Sequence, residues 1–122
     1  MSTRYLMGLD VGGGGGRCLL VDVETGECTS TFHPWTLPQA PELGGFAYKM
    51  DTTVVWRILG ETVRQALRQA GAAPREVAGI AAASMRHTTF VIDRKGSVLL
   101  AAPNRDARAA AQAMQLAAER GD

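Results

Sequence analysis

Residues 5–23 read YLMGLDVGGGGGRCLLVDV, and this stretch decides the fold. Tyr5 to Leu9 is a short apolar run ending in Asp10. The glycines Gly12 to Gly16 follow, and Cys18 to Val23 form a second apolar run. Two such runs joined by glycines predict strand, turn, strand. Glu24, Thr25, Gly26 and Glu27 form a second turn in which Gly26 is free to take a positive φ, and Cys28 to His33 predicts a third strand. Three antiparallel strands in sequence over residues 5–33 make a meander. Asp10 stands at the end of the first strand, directly before the glycine-rich turn. An acid there can hold a hydrated divalent cation, and turn amides that no side chain screens can bind phosphate oxygens. A plain tight hairpin after a capping acid accounts for the same residues. Spacing disfavours two familiar nucleotide loops. Arg17 and Cys18 fall where the last glycine of GxGxxG belongs, and no lysine stands where GxxxxGK needs one.

Beyond the meander, residues 34–50 carry Pro34, Pro38, Pro41, Gly44 and Gly45, which predict a long irregular loop. A loop of that length usually has a job. His33 and Trp35 either line it or close a sheet edge. Asp51 is placed to cap a helix over 51–70. Its apolar side is Val54, Val55, Ile58, Leu59, Thr62, Val63, Ala66 and Leu67, spaced at three and four, and it spares Arg57, Glu61, Arg64 and Arg68. Gly71 ends it. Val77 to Ser84, nearly free of charge and too short for a main helix, fits a buried parallel strand reached by crossover. Thr88–Ile92 and Ser97–Ala101 flank the turn residues Asp93 to Gly96, so strands are expected across 77–101. Residues 106–120 predict an alanine-rich helix with a weak apolar stripe, closed by Gly121.

The whole is an α/β pattern in 122 residues, a length that fits one small folding unit or a piece of one. Nineteen alanines, 14 glycines and 6% aromatics promise a thin core, hence marginal stability alone or a missing partner domain. The net charge of +1 does not steer the chain to a polyanion, and the arginines are interleaved with acids as on helix surfaces, so no nucleic-acid partner is expected. Cys18 and Cys28 lack any zinc-like spacing. A disulfide between neighbouring strands is the alternative to two free thiols, and no signal peptide is evident, which favours the reducing cytoplasm. No apolar run approaches the roughly 20 residues that span a bilayer.

Two further clusters carry chemistry. Met85, Arg86 and His87 follow the buried strand at its C-terminal end, where open sheets place ligands. Arg86 offers a rigid fork for hydroxyls or an anion, and His87 can donate or accept a hydrogen bond. Pairing of both with nearby acids is the structural alternative. Asn104, Arg105, Asp106 and Arg108 follow Pro103. Asp106 can cap the last helix, accept a sugar hydroxyl, or do both. Met50, Met114 and Trp56 read as core or support residues.

YLMGLDVGGGGGRCLLVDVETGE, then VVWRILGETVRQAL, then EVAGIAAASMRHTTFVIDRKGSVLLAAPNRDARAA, in this order, resemble the N-terminal part of the FGGY carbohydrate kinases. Within the family the chain is most similar to the autoinducer-2 kinase branch. The resemblance covers nearly the whole chain. It rests on the aspartate-glycine hairpin, the S-M-R strand end and the D-A-R segment together. It implies a ribonuclease H-like, actin-like ATPase fold, a mixed sheet with flanking helices, of which residues 1–122 are an incomplete N-terminal portion. It also implies transfer of the ATP γ-phosphate to a hydroxyl of a small carbohydrate or polyol-like substrate, with Mg2+.

Carried over by position, Asp10 is similar to the acid that serves magnesium and the reacting phosphate, and Gly12, Gly13, Gly14, Gly15 and Gly16 to the first phosphate loop. Arg86 and His87 stand where many members have a substrate-binding arginine and glutamate. Asp106 and Arg108 match a substrate-side D-x-R, and Asn104 replaces a tryptophan that packs on substrate in many sugar kinases. That asparagine suits a smaller, more polar substrate. The family loop usually has threonine or serine after its first glycine, where this chain has Gly13. In relatives the aspartate that deprotonates the acceptor hydroxyl, and the adenosine-binding motifs, lie far downstream. The chain is therefore expected to supply half of a cleft, to need the remainder of a kinase chain as partner, and to be inactive alone. The competing expectations are a noncatalytic small-molecule or phosphate-binding module and an actin-like ATPase without a sugar substrate.

Overall fold

Alternation along the first two strands sorts side chains between two faces of a sheet. Tyr5, Met7, Cys18 and Leu20 are buried on one face, while Leu6, Arg17 and Leu19 are exposed on the other. A computed structural model describes residues 4–121, so the ends of the 1–122 span lie outside the described residues. Strands β1 (Tyr5–Val11), β2 (Gly15–Asp22) and β3 (Cys28–Pro34) form the antiparallel meander, with Leu9 opposite Cys18 and Asp10 opposite Arg17. Helix α1 (Thr52–Ala70) carries the chain to β4 (Val77–Ser84), which lies parallel to β1 and completes a mixed sheet in the order β3-β2-β1-β4. The burial expected of this strand is not found: it is the edge strand, α1 packs on β2 and β3 instead, and six of its eight residues are exposed. Antiparallel pairs need only a tight turn, whereas the parallel pair needs this helical crossover.

Helix α1 starts where Asp51 accepts hydrogen bonds from the amides of Thr53 (2.9 Å) and Val54 (3.1 Å). It stops at Gly71, whose left-handed backbone (φ 64°) costs a glycine nothing. Its buried side, Val55, Ile58, Leu59, Thr62, Ala66 and Leu67, packs on β2 and β3. Tyr5, Met7, Cys18, Leu20, Ala66 and Leu67 form the core, and each large side chain among them contributes roughly 1.5–3 kcal/mol of hydrophobic stabilisation. Thr62 is the polar junction of this layer. The Thr31 hydroxyl donates to its carbonyl oxygen (2.8 Å), and its own hydroxyl donates to the Ile58 carbonyl (2.8 Å). With that single proton committed, the His33 Nδ1 at 3.0 Å is the donor to Thr62 Oγ1. At the far end of the sheet Arg4 pairs with buried Asp22 at 2.5 Å. The guanidinium bond, aided by the amides of Glu24 and Thr25, holds that carboxyl down at a pKa of about 2.

The length fits one folding unit or a piece of one, and within it the chain divides into two compact units. The first runs to Thr36 and resumes over Asp51–Arg86; the second comprises Leu37–Met50 and the residues from His87 onward. In the second unit β5 (Thr89–Ile92) and β6 (Val98–Ala102) form a hairpin. Asp93 closes it by accepting from the amides of Lys95 and Ser97, both at 2.8 Å, with Gly96 at φ 85°. The long loop is less irregular than its prolines suggest. Pro41–Leu43 makes a short 3-10 turn, Gln39 bridges Tyr48, and the Ala40 amide donates to the Ala47 carbonyl at 2.8 Å.

The helix expected over 106–120 begins later, as α2 (Ala110–Arg120). Ala109 occupies the capping position without a side-chain bond, and Asp106 does not cap the helix because its carboxylate is engaged elsewhere. The five glycines are not one turn either. Gly12 to Gly14 turn, while Gly15 and Gly16 already belong to β2 and are buried. Both cysteines are free, Cys18 buried and Cys28 exposed, and burial raises the Cys18 thiol pKa.

Candidate functional site

Pairing of β1 with both β2 and β4 carries Asp10 to the C-terminal end of a central strand, opposite Arg17 on one side and Ala83 on the other. The strand alternation turns Asp10 to the face that α1 does not cover, and it is exposed. Gly8, Ala81 and Ala83 surround it with almost no side-chain bulk, so an open groove lined by these residues, Arg17 and Leu19 leads to its carboxylate. Arg17 does not neutralise it, since its guanidinium sits over the Phe32 ring, 5.4 Å from the centroid. Asp10 forms no ion pair among the described residues. A lone exposed carboxylate suits a magnesium ion that keeps most of its waters and takes other ligands from phosphate. It does not suit a dedicated protein cage, and among the described residues no cluster of three or more His, Cys, Asp or Glu offers one.

The hairpin beyond Asp10 is closed by the Gly12 amide donating to the Gly15 carbonyl at 3.0 Å. Trp35, buried at the end of β3, reaches back to it twice. Its indole Nε1 donates to the Gly12 carbonyl (3.1 Å), and its backbone amide donates to the Gly14 carbonyl (3.2 Å). The ring lies over Gly16, where an added Cβ would meet Trp35 Cζ3 at 2.9 Å and Leu59 Cδ2 at 2.7 Å. At Gly15 an added Cβ would meet the His33 carbonyl oxygen and the Phe32 ring, each at 2.5 Å. These two glycines are thus required by packing. Gly14 is exposed, with open space around it. Arg86 is exposed just past β4, whose end is tied to β1 by the Met85 amide donating to the Val11 carbonyl at 3.0 Å.

In the second unit the D-x-R segment is a closed ion pair. Arg108 Nη2 lies 2.6 Å from Asp106 Oδ2, and Arg108 Nε lies 2.9 and 3.0 Å from the two carboxylate oxygens. The amides of Arg108 (3.1 Å) and Tyr48 (2.8 Å) also donate to Asp106. A carboxylate has about four acceptor positions, and these contacts fill them. The Asp106 side chain is only 6% exposed, and its bonds to Arg108 hold its pKa far below the usual carboxylate range. Arg108 Nη2 also donates to the Tyr48 carbonyl (3.1 Å), while its Nη1 is not used in these bonds. Arg105 stacks over the Tyr48 ring at 5.0 Å. Tyr48 therefore organises this segment, a role that no motif in the sequence signals. Asn104 is exposed, and so is His87, which holds a left-handed backbone at φ 59°. The structure brings Asp10 together with the glycine hairpin, and Asp106 together with Arg108 and Tyr48.

Comparison with known proteins shows the family to which the chain belongs. A sequence model of the FGGY family of carbohydrate kinases, N-terminal domain, matches residues 5–122. Autoinducer-2 kinase of Escherichia coli (strain K12) is 34% identical over 115 residues, which cover 94% of this chain and 22% of that protein. Autoinducer-2 kinase of Photorhabdus laumondii is 30% identical over 117 residues, covering 96% and 22%. The chain thus spans about a fifth of the length of these relatives. Among solved structures, gluconate kinase from Lactobacillus acidophilus superposes with a TM-score of 0.78 at 21% identity, over 98% of this chain and 23% of that one. Plasmodium falciparum glycerol kinase with ADP gives 0.73 at 14% identity, over 96% and 23%. These structures show the fold, that of the actin-like ATPases. Among the described residues no helix is long and apolar enough to cross a membrane. The chain belongs to the FGGY family of carbohydrate kinases, and residues 5–122 are N-terminal domain sequence of that family.

Proposed function

We propose that this chain is the phosphate-side and substrate-side portion of an ATP-dependent kinase that phosphorylates a hydroxyl of a small carbohydrate or polyol-like molecule. The observation that carries it is the exposed Asp10, without an ion pair among the described residues, at the end of β1 and immediately before a glycine hairpin, in a chain of this family. Asp10 would hold the hydrated Mg2+ that accompanies ATP, and amides of the Gly12–Gly16 stretch, those of the turn first of all, would donate to phosphate oxygens. Bound there, Mg2+ with nucleotide supplies charge neutralisation at the transferring phosphoryl group. On the substrate side, Arg86, His87 and Asn104 are exposed donors and acceptors for hydroxyls. Asp106 serves by fixing Arg108, whose Nη1 is the group left to meet substrate. The acceptor base and the adenosine site would come from the rest of a longer chain, consistent with the 22% of each relative that this chain spans. ATP dependence points to the cytoplasm as its place of work.

Similarity to two autoinducer-2 kinases makes that signal molecule the first substrate to try. The test is substrate-dependent ADP release by the full-length protein in a coupled assay, with the product identified by mass. Asp10→Asn is expected to lower turnover by about 10²–10³-fold. ADP release without any carbohydrate would point to an actin-like phosphohydrolase, and nucleotide binding without turnover to a binding module.

A further inference from the structure

Gly12 to Gly14 leave the turn with more accessible backbone states than any other three residues would, so an anion-binding geometry there needs an external constraint. Trp35 supplies two bonds to the turn, and they differ in kind. The bond from its backbone amide to the Gly14 carbonyl is open to any residue but proline. The bond from its indole Nε1 to the Gly12 carbonyl is specific to tryptophan, which carries an N–H donor on a large apolar body. A trans peptide is planar, so its C=O and the following N–H point in opposite directions. Turning the Gly12 carbonyl toward the indole therefore turns the Gly13 amide away from it. The indole cannot swing to follow a shifting loop, because its ring is buried and packed over Gly16.

We infer that Trp35 is a positioning residue for nucleotide phosphate: its indole N–H orients the Gly12–Gly13 peptide so that the Gly13 amide is presented as an anion donor. This rests on the kinase assignment proposed above for what the amide meets, but not for the orientation itself. Gly13 has no hydroxyl with which to anchor the turn, and in this chain the anchor comes from the residue that follows β3, the strand beside β2 in the sheet.

The test uses the full-length protein and Trp35→Phe, which keeps an aromatic ring over Gly16 and removes the N–H; Trp35→Ala is set aside because it also empties the packing. Two quantities are read, the hydrogen–deuterium exchange of a peptide spanning residues 11–16 and the separate KM values for ATP with Mg2+ and for the carbohydrate. Loss of one hydrogen bond is expected to speed exchange in the hairpin and to raise the KM for ATP about five- to tenfold, with the carbohydrate KM and the melting temperature little changed. Unchanged exchange overturns the inference whether or not the protein is active. A parallel loss in kcat, both KM values and melting temperature overturns it too, since that pattern belongs to a merely structural residue. If wild-type protein neither binds nor turns over ATP, the kinase proposal falls, and faster hairpin exchange in Trp35→Phe still upholds the orienting role.

Discussion

Alanine substitutions at Gly14, Gly15 and Gly16 separate what the glycine run does for packing from what it does for ligands. None of the three has a positive φ, so an added methyl group acts through its surroundings and not through backbone strain. At Gly16 it would stand 2.7 Å from Leu59 Cδ2 and 2.9 Å from the Trp35 ring, inside the layer between α1 and the sheet. The Leu59 terminus can rotate aside, while the indole is held by its bond to Gly12. Overpacking of this kind costs about 1–3 kcal/mol, and Gly16→Ala belongs near the middle of that range. At Gly15 the obstacle at 2.5 Å includes the His33 carbonyl oxygen, which is part of the β2–β3 ladder, so relief requires moving a strand. Gly15→Ala is expected at about 3 kcal/mol or more. At Gly14 nothing lies within 4 Å, and loss of unfolded-state freedom should stabilise by about 0.4–1 kcal/mol. For a chain of this size each kcal/mol moves the melting temperature by about 4 °C. Thermal and urea unfolding should therefore rank the proteins Gly14→Ala, wild type, Gly16→Ala, Gly15→Ala from most to least stable. If all three variants melt together, the close approaches at Gly15 and Gly16 do not constrain the fold and the reasoning fails.

Three other outcomes are expected. In the full-length protein Gly13→Thr should raise phosphoryl transfer if the hairpin is a weakened phosphate loop, as measured by coupled ADP release; no change would favour a binding module. Residues 1–122 by themselves should show no carbohydrate-dependent ADP release, because the acceptor base and adenosine site are proposed to lie elsewhere in a longer chain; kinase-like turnover by this segment would refute that. In acid, Asp22 and Asp106 both have folded pKa values below their unfolded value of about 3.9. Their contribution is therefore full above about pH 4 and lost as pH falls, through about 2 for Asp22 and lower still for Asp106, so unfolding free energy should decline as pH drops below about 4 and Asp106→Asn should flatten the decline.

Much of the first unit was legible because its determinants are local. The apolar side of α1 follows from spacing at three and four, and the observed buried residues Val55, Ile58, Leu59, Thr62, Ala66 and Leu67 lie on it. Asp51 and Gly71 mark the ends of the helix by cap chemistry that acts over a few residues. Gly26 adopts φ 76° at the turn its neighbours announce. The start of α2 was misread for the converse reason. Asp106 is a good capping residue by type, but the Tyr48 amide, 58 positions away, takes its carboxylate first.

The sequence by itself determined the strand-turn-strand start, the crossover helix and the family, since short-range periodicity, turn chemistry and motif order are all written along the chain. Only the tertiary structure decided which glycines turn and which are buried, that Trp35 anchors the hairpin, and that Asp106 is spent on Arg108 and Tyr48. Each of these depends on hydrogen bonds and close contacts between segments distant in the chain, and a carboxylate or a glycine of the same type serves a ligand or a neighbour according to what the fold places against it.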